Sequence, residues 1–449
     1  MGSHYIFSHF PFDHLQVPHT QLLVPSLNYH SHFPFPPLCF TPTMSSSQTH
    51  FFFLFLSFLI SHTFSEQPST PTALVLPISK HALTLQYTTI LSRRTPLVPL
   101  NVVVDLNGPF LWISCDSTYN SSTYKSVQCH SPLCSLAHSN KLGCNHYNTC
   151  IVFSKNVFTN KVSAGELSED VLGLNSTNGL NPISMVSIPQ FLFSCAPAFL
   201  SRGLASGAKG VAGLGHTKIA LPTQLANAYN FTRKFSMCLS PSPNDPGVLF
   251  FGDGPYVLLP GIDISKLLTF TPLIQRPRDS NEYYIRVKSI RVNGKQVPIN
   301  SSMLMISTVN PYAIIESSIY SSLTRVFIEE ALAANVARVE SQAPFDVCFS
   351  TKNTNGAMIR PGMPLIDLVL QNEKVFWRIF EINSMVPVGN DTVCLGFLDG
   401  GLNPRASIIL GGYQLEDNLL QFDLESSRLG FTSSLLLRET NCASFNFTN

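Results

Sequence analysis

Charge is scarce in this chain. Asp, Glu, Lys and Arg make up only 12% of its 449 residues, and the formal net charge is +1. No basic run occurs, which excludes the phosphate-neutralising surface of a nucleic-acid binder. Residues 1–65 lack Lys and Arg altogether, and no histidine follows His216. There is no G-x-S-x-G nucleophile elbow and no H-E-x-x-H metal helix. The glycines of Gly210-Val-Ala-Gly-Leu-Gly215 are not in the G-x-G-x-x-G order, and no βαβ pattern frames them, so a dinucleotide loop is excluded as well. Helical periodicity is also sparse. Short apolar runs between turns dominate, and an apolar fraction of 44% suffices for a large core. The fold expected is all-β (mainly β), with few short helices.

Residues 1–65 hold 8 of the 13 histidines and the apolar run Phe51–Ile60. Ten residues are about half of what spans a bilayer. The run fits the apolar core of a signal peptide over residues 44–65, with Met44 as the start. Residues 1–43 read as a non-native or disordered leader, and no function is assigned to their histidines. No membrane association is expected once the signal is cleaved. Cys39 lies in the leader. Ten cysteines remain: Cys115, Cys129, Cys134, Cys144, Cys150, Cys195, Cys238, Cys348, Cys394 and Cys442. An even count after a signal peptide points to disulfides, up to five, formed in an oxidising compartment. The spacings from Cys115 to Cys150 lack the paired C-x₂₋₄-C rhythm of a metal site, so disulfides are preferred and no metal or cofactor is expected. Sequons at Asn120, Asn175, Asn230, Asn300, Asn390 and Asn446 are candidate glycan sites.

The chain is organised around Val102-Val-Val-Asp-Leu-Asn-Gly-Pro-Phe-Leu-Trp112. The valines read as a buried strand that delivers Asp105 into a turn at Asn107-Gly108. Further strands are expected at Thr84–Thr88, within Lys161–Leu174 (a hairpin feeding a strand), and at Phe191–Cys195 and Val248–Pro255. In the second half they are expected at Tyr283–Ile290, Met303–Val309, Ile366–Leu370, Val375–Phe380, Val393–Leu398, Leu419–Leu424 and Arg428–Phe431. The one clear short helix of the first half lies in Leu221–Leu239. An amphipathic helix over Ser317–Asn335 carries Ile319, Leu323, Val326 and Phe327 on one face.

The two halves echo each other. Asp105 lies 108 residues before Gly213, and Ser307 lies 104 residues before Gly411. In each half a strand delivers its residue to a loop, and an apolar-apolar-Gly turn follows about a hundred residues later. Two lobes are expected, over residues 73–265 and 266–449. Strand, Asp, Gly turn and a Trp seven residues on resemble the first catalytic loop of pepsin-like aspartic proteases, which reads Asp-Thr-Gly-Ser. Here it reads Asp-Leu-Asn-Gly. Aspartic proteolysis needs two carboxylates sharing one proton. The second loop, Ile306-Ser-Thr-Val-Asn-Pro-Tyr312, has Ser307 where the carboxylate belongs. No tyrosine falls between Tyr147 and Tyr229 to serve as the hairpin tyrosine of active relatives. No catalytic residues are therefore expected, Asp105 being a remnant.

From about residue 73 onward the chain resembles the plant group of extracellular dermal glycoprotein, basic 7S globulin and wheat-type xylanase inhibitors. The resemblance rests on Val103–Cys115, Phe193–Pro197, Gly210–Pro222, Ile306–Tyr312 and Leu410–Asp423. It implies a two-lobed pepsin-like aspartic protease fold without catalysis, secreted to the apoplast or cell wall. Several members block microbial glycoside hydrolases by inserting a basic side chain between the two catalytic carboxylates, a charge-assisted contact. The cereal inhibitors use a histidine after the last strand, where this chain has Leu435-Leu-Leu-Arg438. The dermal-glycoprotein group uses arginines on second-lobe loops, which implies Arg405 here and Arg338 as a second candidate. A Cys348–Cys394 bond is also implied. The Cys-rich excursion lacks two of the family's twelve cysteines, and the strand before Ser307 is abbreviated.

The expected function is inhibition of a microbial cell-wall glycoside hydrolase, a xyloglucan-specific endoglucanase more than a xylanase. The alternatives are a divergent aspartic-type endopeptidase and a storage protein of the globulin type that binds small peptide ligands.

Overall fold

The computed structural model describes residues 70–448, apart from 116–118, 138–142, 275–280 and 353–361. The leader and signal segments expected at 1–43 and 44–65 lie outside the described residues. Strands dominate, with few and short helices. No helix among the described residues is long and apolar enough to cross a membrane.

The same five-strand arrangement is built twice. In the first half Val98–Asp105 runs antiparallel to Tyr87–Arg93 and parallel to Gly210–Gly213, with Asp105 opposite Gly213. Gly210–Gly213 is antiparallel to Trp112–Ser114, which runs parallel to Pro182–Ala196. In the second half Ser302–Ile306 runs antiparallel to Tyr284–Val287 and parallel to Ile408–Leu410. Ile408–Leu410 is antiparallel to Ala313–Ile315, which runs parallel to Phe397–Asp399. Val102, Val103 and Val104 are buried on both faces, which is why the run is continuously apolar instead of alternating.

The halves are joined through a 15-stranded sheet. Leu419–Asp423, near the end of the chain, pairs with Lys234–Cys238 of the first half, and Arg428–Phe431 pairs with Thr269–Pro272. One core cluster runs from Leu74 to Phe431 and includes residues of both halves.

Four expectations are corrected. Thr84–Thr88 is not the first strand. That strand is Ala73–Lys80, and a turn at 81–84 separates it from Tyr87–Arg93. The His81 ring nitrogen accepts Thr84 N, and Leu85 sits at φ 57°, so the segment closes into a turn despite its β-branched residue. Lys161–Leu174 is not a hairpin but part of one 17-residue strand, Lys161–Thr177. The hairpin turn precedes it, where Asn156 Oδ1 accepts the backbone N–H groups of Phe158 and Thr159. Gly165 marks close strand approach: a Cβ there would lie 2.3 Å from Ser194 Oγ. Met303–Val309 overruns. The strand Ser302–Ile306 stops where Ser307 Oγ accepts Val309 N and Asn310 N. The first half also holds a second short helix, Pro132–Ala137, which the Cys-rich composition concealed.

The helix Leu221–Tyr229 starts with Pro222 in its first turn and ends at Asn230, in the left-handed region at φ 55°. Ser317–Ala333 is capped by Glu316, whose carboxylate accepts Ser318 N and Ile319 N. It buries Ile319, Leu323, Val326 and Phe327 as its periodicity predicts.

Candidate functional site

The duplicated strands bring Asp105 and Ser307 to one cleft of ≈ 390 Å³. Each residue leaves its strand beside a glycine of the parallel partner. Leu214 N donates to Asp105 O at 2.9 Å, and Ser307 N donates to Leu410 O at 3.0 Å. The glycines are required by proximity. A Cβ on Gly213 would lie 2.5 Å from Gly108 O, and one on Gly411 would lie 2.4 Å from Tyr312 O.

The two loops are cross-bonded. Thr308 Oγ1 accepts Leu106 N at 3.0 Å and donates to Val104 O at 2.9 Å. In the other direction Asn107 Nδ2 donates to Ile306 O at 2.8 Å, and Asn107 Oδ1 accepts Tyr283 N at 3.1 Å. Val104 and Ile306 are the residues immediately before Asp105 and Ser307. The first loop thus uses Asn107 where the second uses Thr308, because Leu106 has no hydroxyl to offer. Sequence reading passed over Asn107 and Thr308; the visible signal was a polar residue beside each loop head.

Asp105 is buried, at 4% exposure. Burial disfavours its charged form and raises its pKa to about 6. The backbone N–H of Asn107 and the charges of Arg405 and Lys155 oppose that rise. Its Oδ1 accepts Asn107 N at 2.9 Å. Ser307 Oγ donates to Asn310 Oδ1 at 2.9 Å, so the serine hydroxyl is engaged within its own loop. Among the described residues lining the cleft, Asp105 is the one carboxylate. A single carboxyl can donate or accept a proton, but it offers no second carboxylate to divide the acid and base roles over one water.

The hairpin of Cys150–Asn156 and Lys161–Thr177 contributes Lys155, Val157 and Asn160 to the cleft. Trp112 Nε1 donates to Lys155 O at 3.1 Å, so the indole is bonded to hairpin backbone and not to a tyrosine. His216, just past the Gly213 turn, packs 4.2 Å from the Tyr283 ring. Burial first, and Arg233 second, lower its pKa to about 4.

Arg405 also lines this cleft. Its side chain is 61% exposed, and Nη2 forms an ion pair with Glu282, a carboxylate that also accepts the Tyr284 hydroxyl at 2.8 Å. Arg338 does not line the cleft. It is exposed on Arg338–Val339, paired with Phe349 in the small sheet that holds Cys348 and Cys394. The structure therefore places the two candidate arginines at different sites. Lys155 and Glu282 were missed in the sequence, since neither lies in a recognisable motif.

The ten cysteines form five disulfides: Cys115–Cys195, Cys129–Cys144, Cys134–Cys150, Cys238–Cys442 and Cys348–Cys394. Cys129, His130 and Cys144 cluster within the reach of a metal ion, but both sulfurs are consumed by their bond to each other. Asn120, Asn230, Asn300 and Asn390 are exposed, while Asn175 and Asn446 are half-buried.

Family models described as "Xylanase inhibitor N-terminal" and "Xylanase inhibitor C-terminal" match residues 87–253 and 282–433. The chain belongs to the xylanase-inhibitor family of plant pepsin-like proteins. Within this family it is 49% identical over 426 residues to "Probable aspartic proteinase GIP2" of Nicotiana benthamiana, covering 88% of this chain and 96% of that one. It is 40% identical to "Basic 7S globulin" of Glycine max, covering 90% and 100%. The crystal structure of edgp superposes with a TM-score of 0.81 at 48% identity, over 85% of this chain and 99% of that one. The aspartic proteinase from Irpex lacteus, at 15% identity and a TM-score of 0.56, shares the two-lobed pepsin fold.

Proposed function

We propose that this xylanase-inhibitor-family chain is a secreted, catalytically inactive pepsin-fold protein that inhibits a microbial cell-wall glycoside hydrolase, a xyloglucan-specific endoglucanase in preference to a xylanase. The observation that carries the reading is Arg405. Its guanidinium is exposed at the rim of the cleft and held in orientation by Glu282. A glycosidase offers two carboxylates flanking the scissile bond, and a guanidinium between them forms charge-assisted hydrogen bonds to both. Arg338, exposed elsewhere on the second half, is the second contact. Five disulfides suit an oxidising, extracellular setting. The exposed sequons Asn120, Asn230, Asn300 and Asn390 are proposed to carry glycans.

The test is a residual-activity titration of fungal xyloglucanases and xylanases with the mature protein and with Arg405→Ala. Stoichiometric inhibition of a xyloglucanase is expected. Arg405→Ala should weaken it by about 30-fold or more, the cost of truncating one partner of a desolvated charge pair. Equal inhibition by both proteins overturns the assignment of Arg405. A second reading, a divergent aspartic-type endopeptidase, is favoured by the Asp105 carboxyl, which shares its cleft with the hairpin, and by the name "Probable aspartic proteinase GIP2" of the Nicotiana benthamiana relative. Acid-pH casein cleavage that disappears in Asp105→Asn would establish it in place of the first.

A further inference from the structure

The cleft around Asp105 carries more unassigned polar chemistry than a vestige requires. Asp105 Oδ1 accepts Asn107 N and the Gly108 N–H also lies against the carboxyl, but no side-chain donor among the described residues bonds to Oδ2, although Asp105 is buried and lines the cleft. Two cations face it from different walls: Lys155 from the hairpin, and Arg405 from the loop before Ile408–Leu410. Their charges reach Asp105, yet neither forms an ion pair with it among the described residues. Four side-chain amides also line it, among apolar residues such as Phe110, Trp112 and Met305; Asn107 is already bonded across the loops, and the other three have open groups. Asn160 and Asn281 make no side-chain hydrogen bond within the described structure, and Asn310 uses only Oδ1, leaving its two Nδ2 donors open. Each free amide presents a donor and an acceptor side by side.

We propose that this cleft is a binding site for a sugar acid, a short oligomer of uronic acids. The carboxylate of the ligand pairs with Lys155 and with the guanidinium face of Arg405 that Glu282 does not use. A ring hydroxyl donates to Asp105 Oδ2, and vicinal hydroxyls meet the amides of Asn160, Asn281 and Asn310. A volume of ≈ 390 Å³ lies in the range of small-molecule sites. Each polar group would find a partner of the required polarity, which is what polar ligand recognition demands. A peptide fits the open polar groups less well. Phe110, Trp112, Met305 and Ile409 would receive apolar side chains, but a peptide backbone needs a free strand edge, whereas the open polar groups here are amides and charged ends that match a carboxylate and vicinal hydroxyls. This site does not depend on the proposed inhibition of a glycosidase. Because both readings use Arg405, the test is made at Lys155 and Asn160, which only the cleft ligand would touch.

Isothermal titration of the mature protein with a galacturonic acid trimer is the direct experiment, with cellotriose and a neutral tripeptide as comparison probes. Saturable binding of the acidic trimer, with weaker binding of the other two, is expected. Lys155→Ala should weaken it by about tenfold or more, the effect of losing a hydrogen bond to a charged group, and Asn160→Ala should weaken it to a smaller degree. Both residues are exposed, so these variants test binding without disturbing the core. No binding of the acidic trimer overturns the proposal. So does equal binding of cellotriose, tighter binding of the tripeptide, or an affinity unchanged in Lys155→Ala. Inhibition of a xyloglucanase can persist in every one of these outcomes, so failure here leaves the glycosidase reading standing.

Discussion

Replacing Asp105 with Asn isolates the energetics of the remnant carboxyl. The group titrates at about 6 in the folded chain against a reference of 3.8, because burial penalises its charge. Between those two values the folded chain keeps a proton that the unfolded chain has released. The stability this group contributes is therefore fully present below about pH 4 and is lost as pH rises through 6. At about 1.4 kcal/mol per pH unit, the gap corresponds to about 3 kcal/mol of destabilisation at neutral pH. Asparagine retains an oxygen to accept Asn107 N and carries no charge to desolvate. At pH 4, where the aspartic acid is also neutral, variant and wild type should melt together. At pH 8 the variant should melt higher by about 3 °C, given the size of the chain. Paired calorimetric scans at the two pH values measure this directly. An equal difference in Tm at both values, or a variant that melts lower at pH 8, would refute it. The first result would mean that Lys155 and Arg405 balance the effect of burial on Asp105, and the second that they outweigh it.

His216 acts in the opposite sense. Its pKa is lowered from 6.5 to about 4, so the stability it contributes is present above 6.5 and is lost as pH falls towards 4. His216→Phe, which keeps a ring against Tyr283, should raise stability at pH 4 by about 3 kcal/mol relative to pH 7, read from Tm at the two values; no pH dependence in the difference counts against the assignment. Thr308→Val removes one hydroxyl that serves both Leu106 N and Val104 O. Two buried backbone groups then lack partners, and the expected cost is about 2–4 kcal/mol by thermal or denaturant unfolding; a loss below about 0.5 kcal/mol would mean that the cross-bond between the loops contributes little.

The catalytic frame was legible in the sequence because its constraints are local. Asp105 and Gly213, like Ser307 and Gly411, are each fixed by a strand that ends in a turn, and the structure brings the first pair together at the ends of parallel strands and the second just past the ends of theirs. The all-β class followed from short apolar runs between turn residues. What was not legible depends on distant partners. Gly165 resembles a turn residue until Ser194 and Cys195 are seen packed over it. Thr84 has strand propensity, but the His81 side chain closes a turn around it. The salt bridge of Arg405 with Glu282 and the place of Lys155 on the hairpin join residues far apart in sequence, and no periodicity or spacing encodes such a meeting. Arg405 was named from resemblance, and only the three-dimensional arrangement puts it in the same cleft as Asp105.

The position of Leu419–Asp423 in the large sheet bears on how the protein is made. On a ribosome, Lys234–Cys238 emerges long before the segment that pairs with its outer side. Until then the nascent first half ends in an open strand edge with unpaired N–H and C=O groups, a template for wrong pairing. Translation that stops before Leu419 leaves that edge permanently uncovered and Cys238 without Cys442. Completion of the amino-terminal half is thus timed by a segment synthesised well after it, and shortened products of this chain are expected to aggregate instead of persisting as a folded half-molecule.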